Sequence, residues 1–300
     1  MNFRFAFTLG LVGAMLVAAA PSAQSRGDRS QDRERIRLRE RVVNTTSIRS
    51  VRETTGQSFN EDPCRDSGWD DDYYRTCEVR EESMAAGPLT VDAGRNGGIQ
   101  VEGWDRNEIR VRAVVTSSAR SETDAKQLAS AVQIHVGSGK VTAVGPTAER
   151  RQWWSVSYRI NVPRRNDLDL HANNGGVSIF GVSGTLRFDT TNGGVRLNAV
   201  AGDVRGETRN GGVDVVLSGD RWDGVGLDVE TSNGGVNLTI PEGYNAELTT
   251  RTVNGGFRTD FPMTIQGELS PRQGITTTLG AGGAPVRVRT TNGGLRINKR

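Results

Sequence analysis

The sequence predicts an all-β protein, a β-solenoid of stacked two-strand coils, on three observations. First, the hexamer Thr190-Thr191-Asn192-Gly193-Gly194-Val195 recurs in variants at 172–177, 208–213, 231–236, 252–257 and 290–295. Asn-Gly-Gly thus begins at Asn174, Asn192, Asn210, Asn233, Asn254 and Asn292, after an outlying copy at Asn96, with successive intervals of 18, 18, 23, 21 and 38 residues. Second, apolar residues alternate on both sides of each copy, as in Leu186, Phe188 and Thr190 before one and Val195 and Leu197 after it. Period two means strands with one buried face. Third, the same residue type returns at the same offset, which stacked coils reward because like side chains pack in register. An antiparallel meander or sandwich is the alternative, since Asn-Gly between alternating strands is also a hairpin signal. The solenoid predicts ladders of corner asparagines and of Thr190, Thr208, Thr231, Thr252 and Thr290. At each corner, Asn followed by Gly is expected to supply positive φ.

Composition agrees with a thin, repetitive core. The chain has 300 residues, is 35% hydrophobic and 6% aromatic, and carries a formal charge of +3. In the repeats Arg alternates with carboxylates: Arg187, Arg205, Asp228, Thr249 and Arg287 at one outward position, Asp189, Glu207, Glu230, Arg251 and Arg289 at the next. Mixed-sign ladders on a solvated face follow. A nucleic-acid surface would need clustered basic residues with stacking aromatics, and is excluded as a partner class.

Taken in order, residues 1–23 read as a secretory signal peptide: Arg4, an apolar run from Phe5 to Ala20, then Pro21-Ser22-Ala23. The mature chain shows no apolar run long enough for a membrane span, so the protein is expected to be exported, to the periplasm or the cell surface. Residues 24–60 are an Arg-rich polar arm that cannot bury enough apolar area to offset its ordering entropy. Residues 61–87 form an acidic segment stapled by Cys64 and Cys77, the only cysteines, which pair in an oxidising compartment. Between and beside them Trp69, Tyr73 and Tyr74 offer an aromatic ligand surface. The β-repeat domain is expected over 88–300. In its first copy Gly94 replaces the Thr and the apolar register shifts by one, which predicts a bulge. Ser121 is an N-cap for a helix that buries Ala125, Leu128, Ala129 and Val132 and caps the stack. Trp153 and Trp154 open a strand and are expected to pack against the helix, a ligand platform being the alternative. Longer insertions at 218–226 and 261–284 make Trp222 and the second insertion the other ligand candidates.

These motifs resemble those of a bacterial family of putative adhesins, a domain of unknown function with β-strand repeats. The carriers are Val101-Glu102-Gly103-Trp104-Asp105, the helix after Ser121, Tyr158-Arg159-Ile160-Asn161-Val162-Pro163, the Thr-x-Asn-Gly-Gly units, and the ending from Gly282 to Leu295, so the match runs from about Pro88 to Arg300. The resemblance implies an exported β-helix-like domain at the cell envelope and supplies no catalytic residues.

Catalytic motifs are wanting. The only histidines, His135 and His171, are far apart in sequence. Gly137-Ser138-Gly139-Lys140 lacks the spacing and the terminal Ser or Thr of a phosphate loop, and the run from Gly280 to Gly283 is followed by Pro285 and by no helix. The expected function is a non-catalytic envelope module that binds a surface glycan or a protein, without metal or cofactor, and that can self-associate through open coil ends. Two other readings are a carbohydrate-active β-helix enzyme, which would need convergent carboxylates, and a periplasmic part of an envelope-stress system.

Overall fold

Where period-two alternation predicts strands, strands form. The computed structural model describes residues 63–65, 68–70, 72–261 and 274–300, all within one compact unit spanning 62–300. The expected signal peptide over 1–23, the expected arm over 24–60 and residues 262–273 of the second insertion lie outside the described residues. The elements are β1 (Gly68–Asp70), β2 (Tyr73–Ala85), β3 (Leu89–Asp92), β4 (Ile99–Trp104), β5 (Glu108–Ala119), α1 (Glu122–Ser130), β6 (Gln133–Gly137), β7 (Lys140–Val144) and β8 (Trp153–Pro163). The repeats follow as β9 (Leu168–Ala172), β10 (Val177–Phe180), β11 (Ser183–Thr190), β12 (Val195–Asn198), β13 (Ala201–Asn210), β14 (Val213–Val216), β15 (Gly226–Asn233) and β16 (Val236–Ile240). Last come β17 (Ala246–Asn254), β18 (Phe257–Thr259), β19 (Ile275–Leu279), β20 (Pro285–Asn292) and β21 (Leu295–Lys299).

The fold is a β-solenoid. The strands on either side of each Asn-Gly-Gly lie in different sheets, so they do not form hairpins, and each pairs in parallel with its equivalents in adjacent coils. Val177, Val195, Val213, Val236 and Leu295 stand in one register, as do Leu168, Leu186, Val204, Leu227 and Val286 in the other sheet. Inward residues of both sheets merge into one core running through the stack. Where a glycine, Gly206, takes an inward position, the ring of its neighbour Phe188 fills the space, so an added Cβ would collide with that ring.

The spatial order of coils departs from the chain order at both ends. The stack reads β7/β8, β3/β4, β9/β10, β11/β12, β13/β14, β15/β16, β20/β21, β17/β18. The last coil in sequence is therefore inserted between the two that precede it, and the threonine ladder runs Thr190, Thr208, Thr231, Thr290, Thr252. The 38-residue final interval contains no further parallel coil among the described residues. It carries β19, which turns back antiparallel onto β17, before the chain returns to the inner place.

The corners also correct an expectation. None of Gly175, Gly193, Gly211, Gly234 and Gly293 has positive φ. They are required because successive corners stack closely: a Cβ on Gly193 would fall far inside van der Waals contact with the carbonyl oxygen of Gly175, and the other corners repeat this geometry. Each buried Thr then donates its hydroxyl to such a carbonyl in the neighbouring coil: Thr190 to Gly175, Thr208 to Gly193, Thr231 to Gly211, Thr290 to Gly234 and Thr252 to Gly293, at 2.7–2.8 Å. Threonine recurs because of that carbonyl rather than because threonines bond one another. At the first corner an extra residue lies between Ala93 and Ile99, and Gly94 absorbs it at φ 63°. The segment Ser138-Gly139, with φ of 50° and 72°, is the two-residue turn between antiparallel β6 and β7.

Beyond β8 one sheet continues antiparallel through β5, β2 and β1, so that sheet begins at Gly68 rather than at Pro88. The Cys64–Cys77 disulfide ties the chain ahead of β1 to β2. Helix α1 packs on β5 and β2 and buries Ala125, Leu128 and Ala129. Ser121 caps it by accepting from the Asp124 amide, and Ser117 donates to the carbonyl of Ala125.

Candidate functional site

The coils turn a second time opposite the Asn-Gly-Gly edge, and there positive φ does appear: Gly181 at 63°, Ala199 at 52°, then Gly184 at 152°, Gly202 at 101° and Gly224 at 127°. The last three stack. A Cβ on Gly202 would strike the carbonyl of Gly184, and one on Gly224 would strike Gly202 itself. Bare backbone therefore floors a groove of about 700 Å³ whose walls come from the starts of β3, β9, β11, β13 and β15. Its amides are held by neighbours: Ser183 N donates to Arg164 O at 2.7 Å, Gly202 N to Asp223 O at 2.7 Å, and Thr185 N to the Asp167 carboxylate at 2.7 Å.

Asp167, Asp203 and Asp223 rim the groove, with Arg165 and the exposed Val225. Arg187 bonds Asp203 Oδ2 at 2.6 Å and Arg205 reaches Oδ1 at 3.2 Å. The hydrogen bond from Arg187, opposed by partial burial and reinforced by both arginine charges, holds the Asp203 carboxyl below the usual range. Asp203 thus stays ionised near neutral pH and cannot serve as a general acid there. The acidic rim suits a neutral or basic ligand, and an open, extended groove suits a chain molecule.

The outward charges form the expected mixed ladders. Arg289 joins Asp228 at 2.7 Å and Glu230 at 3.2 Å, and His171 lies between Asp169 and Asp189. His135 is on β6 and His171 on β9, with β7 and β3 between them. No group of three or more His, Cys, Asp and Glu side chains is placed to hold a metal among the described residues, and no described helix is long and apolar enough to cross a membrane.

The aromatic candidates are not brought together. Trp222 is 5% exposed and donates its Nε1–H to Gly202 O at 3.0 Å, so it braces the groove floor from inside and presents no ring face to a ligand. Tyr73 and Tyr74 are half-buried on β2, at the far end of the stack, and the Trp69 side chain lies outside the described residues. The corner asparagines do align, each amide bonded to the next. What sequence reasoning missed is the second glycine ladder. Its trace was present, because Gly184 and Gly202 are 18 residues apart, the interval of the first Asn-Gly-Gly copies.

Coils that stack in register, stapled at one end and turned back at both, define the class of β-repeat solenoid proteins. The chain belongs to the Toastrack DUF4097 family, whose pattern matches residues 79–298. Among solved structures it is similar to a putative cell adhesion protein from Clostridium sporogenes, at 12% identity, covering 74% of this chain and 100% of that one, with a TM-score of 0.38. A putative adhesin from Bacteroides fragilis shares 12% identity over 74% of this chain and 97% of its own, TM-score 0.31. A putative lipid binding protein from Parabacteroides distasonis shares 12% over 75% and 96%, TM-score 0.27. At these scores the likenesses carry no argument about ligands. No curated protein sequence matches.

Proposed function

We propose that the protein is an exported, non-catalytic module of the cell envelope, in the periplasm or at the surface, whose second-corner groove holds an extended surface polymer. The observation that carries this reading is the groove's direction: its walls come from five neighbouring coils. At ~4.8 Å per coil that run is about 19 Å long, the scale of a few polymer units. A floor of backbone without side chains lets a chain molecule lie close, and the solenoid beneath it is rigid. The family membership fits a binding or scaffold role.

The test is a binding screen of the purified protein against envelope and extracellular glycans and peptides, with product analysis on every hit. Binding without turnover, lost when Thr185→Trp on the exposed groove wall fills the groove and kept in Lys126→Ala on the distant helix, is the expected result. Turnover of any hit would replace this reading with the carbohydrate-active enzyme. Fractionation that leaves the protein in the cytoplasm would remove the envelope role.

A further inference from the structure

The first-corner asparagines form one directed chain. Asn174 donates its Nδ2–H to Asn96 Oδ1 at 2.9 Å, Asn192 to Asn174, Asn210 to Asn192, Asn233 to Asn210, Asn292 to Asn233 and Asn254 to Asn292, all at 2.7–2.9 Å. Amides aligned this way polarise one another, so the terminal donor is strengthened. That donor is Asn96 Nδ2, which has no partner among the described residues.

It ends at a cavity of about 560 Å³, more enclosed than the groove and in the size range of small-ligand sites. Two tryptophans wall it. Trp154 is fixed by its Nε1–H donating to Pro146 O at 2.8 Å, while Trp153 is 37% exposed, with the Arg75 guanidinium 5.6 Å from its ring centroid. Gln152 and Asn174 add amides to the lining, and Arg95 is its one ionisable residue. The Arg95 side chain makes no ion pair or hydrogen bond among the described residues. Where the groove is rimmed by carboxylates, this cavity has a cation, amide groups and an indole.

We propose that this cavity is a saccharide subsite for one acidic pyranose, a hexuronate unit of a glycan, separate from the groove and independent of what the groove holds. The C–H face of a pyranose ring packs on the exposed indole of Trp153. Ring hydroxyls are served by Asn96 Nδ2 and by Gln152, whose amide offers both donor and acceptor. The uronate carboxylate pairs with Arg95, a charge-assisted contact that a neutral sugar cannot make.

Saturation-transfer NMR on the full chain tests this with two probes, sodium glucuronate and the neutral methyl β-glucopyranoside. Glucuronate should show transfer to its ring protons, weakened by salt, and the glucoside little. Arg95→Gln and Trp153→Ala should each weaken glucuronate binding roughly tenfold. Asn96→Asp keeps the acceptor for Asn174 while removing the free donor, so it should lose glucuronate with its thermal transition intact, which separates loss of the site from loss of the fold. The proposal is overturned if glucuronate shows no transfer to the wild type, if the glucoside binds as well as glucuronate, or if folded Asn96→Asp and Arg95→Gln bind like the wild type.

Discussion

Between β9 and β16 the coils stack in the order in which they are synthesised, whereas at both ends the outermost coil in space is not the outermost in sequence. In the middle, each coil meets the next after 18 to 23 residues. At the ends, the first and last coils of the chain, β3/β4 and β20/β21, are each buried one place in, and β7/β8 and β17/β18 cover them. Antiparallel strands β6 and β19 then continue one sheet outward at either end, with α1 over the N-terminal extension of the other. A stack of identical units grows by templating, but its ends expose strand edges that invite further pairing. Threading a terminal coil inward gives it two parallel neighbours and, among the described residues, leaves turned-back strands at three of the four sheet edges, with parallel β18 at the fourth.

The largest effect is expected from deleting residues 284–300. If the last coil were simply the outermost one, β17 would keep its partner. Because β20 lies between β15 and β17, and β19 pairs only with residues 246–250, the deletion should abolish amide-exchange protection across residues 251–254 while the amides of β11 retain theirs; retained protection there would contradict the threading. The next effect is at a single corner. Gly193→Ala drives a methyl into the Gly175 carbonyl, whereas at Gly194 the nearest atom is 3.4 Å away. Denaturant unfolding should show a loss of about 3 kcal/mol for the first and under about 1 kcal/mol for the second. Equal losses would return the corner to a conformational explanation.

Thr208→Val keeps the shape but leaves the Gly193 carbonyl without its hydroxyl donor, for an expected cost of about 1–2 kcal/mol by the same assay. Tyr158, at the permuted N-terminal end, is buried, and its hydroxyl has no hydrogen-bond partner among the described residues. Burial, and then the charge of Asp92, pushes its pKa well up. Tyr158→Phe should therefore leave the melting temperature unchanged or raise it, and a clear drop would reveal a partner for the hydroxyl. His171 sits where the ordered middle meets that end. Burial of its ring pulls its pKa down, but the hydrogen bonds and charges of Asp189 and Asp169 outweigh this and raise it. A raised pKa in the folded state stabilises most fully below the unfolded value of about 6.5 and fades as pH climbs through the folded one. The melting-temperature gap between wild type and His171→Gln should thus be widest near pH 5 and shrink toward pH 8, and a constant gap would assign the difference to packing.

Much of this molecule is written locally. Alternation around Leu186, Phe188, Val195 and Leu197 determines strands because period two matches the pleat, and recurrence of Thr and Asn-Gly-Gly determines a stack because identical corners nest. The helix after Ser121 and the Cys64–Cys77 pairing were legible for the same reason: a cap and a cysteine count act over short range or with only one partner available. Tertiary structure alone decided the order of the coils, since Thr252 and Thr290 each present a hydroxyl to an equivalent corner carbonyl, of Gly293 and Gly234, and either could follow Thr231 by local rules. It also decided that Trp222 turns inward while Trp153 stays accessible, because an indole's exposure depends on which backbone passes over it. The groove over Gly184, Gly202 and Gly224 and the cavity at the end of the asparagine chain belong to the same category. The groove's walls run from Ala86 to Val225 and the cavity's from Ala93 to Asn174, and only the stacking of distant coils sets those residues side by side.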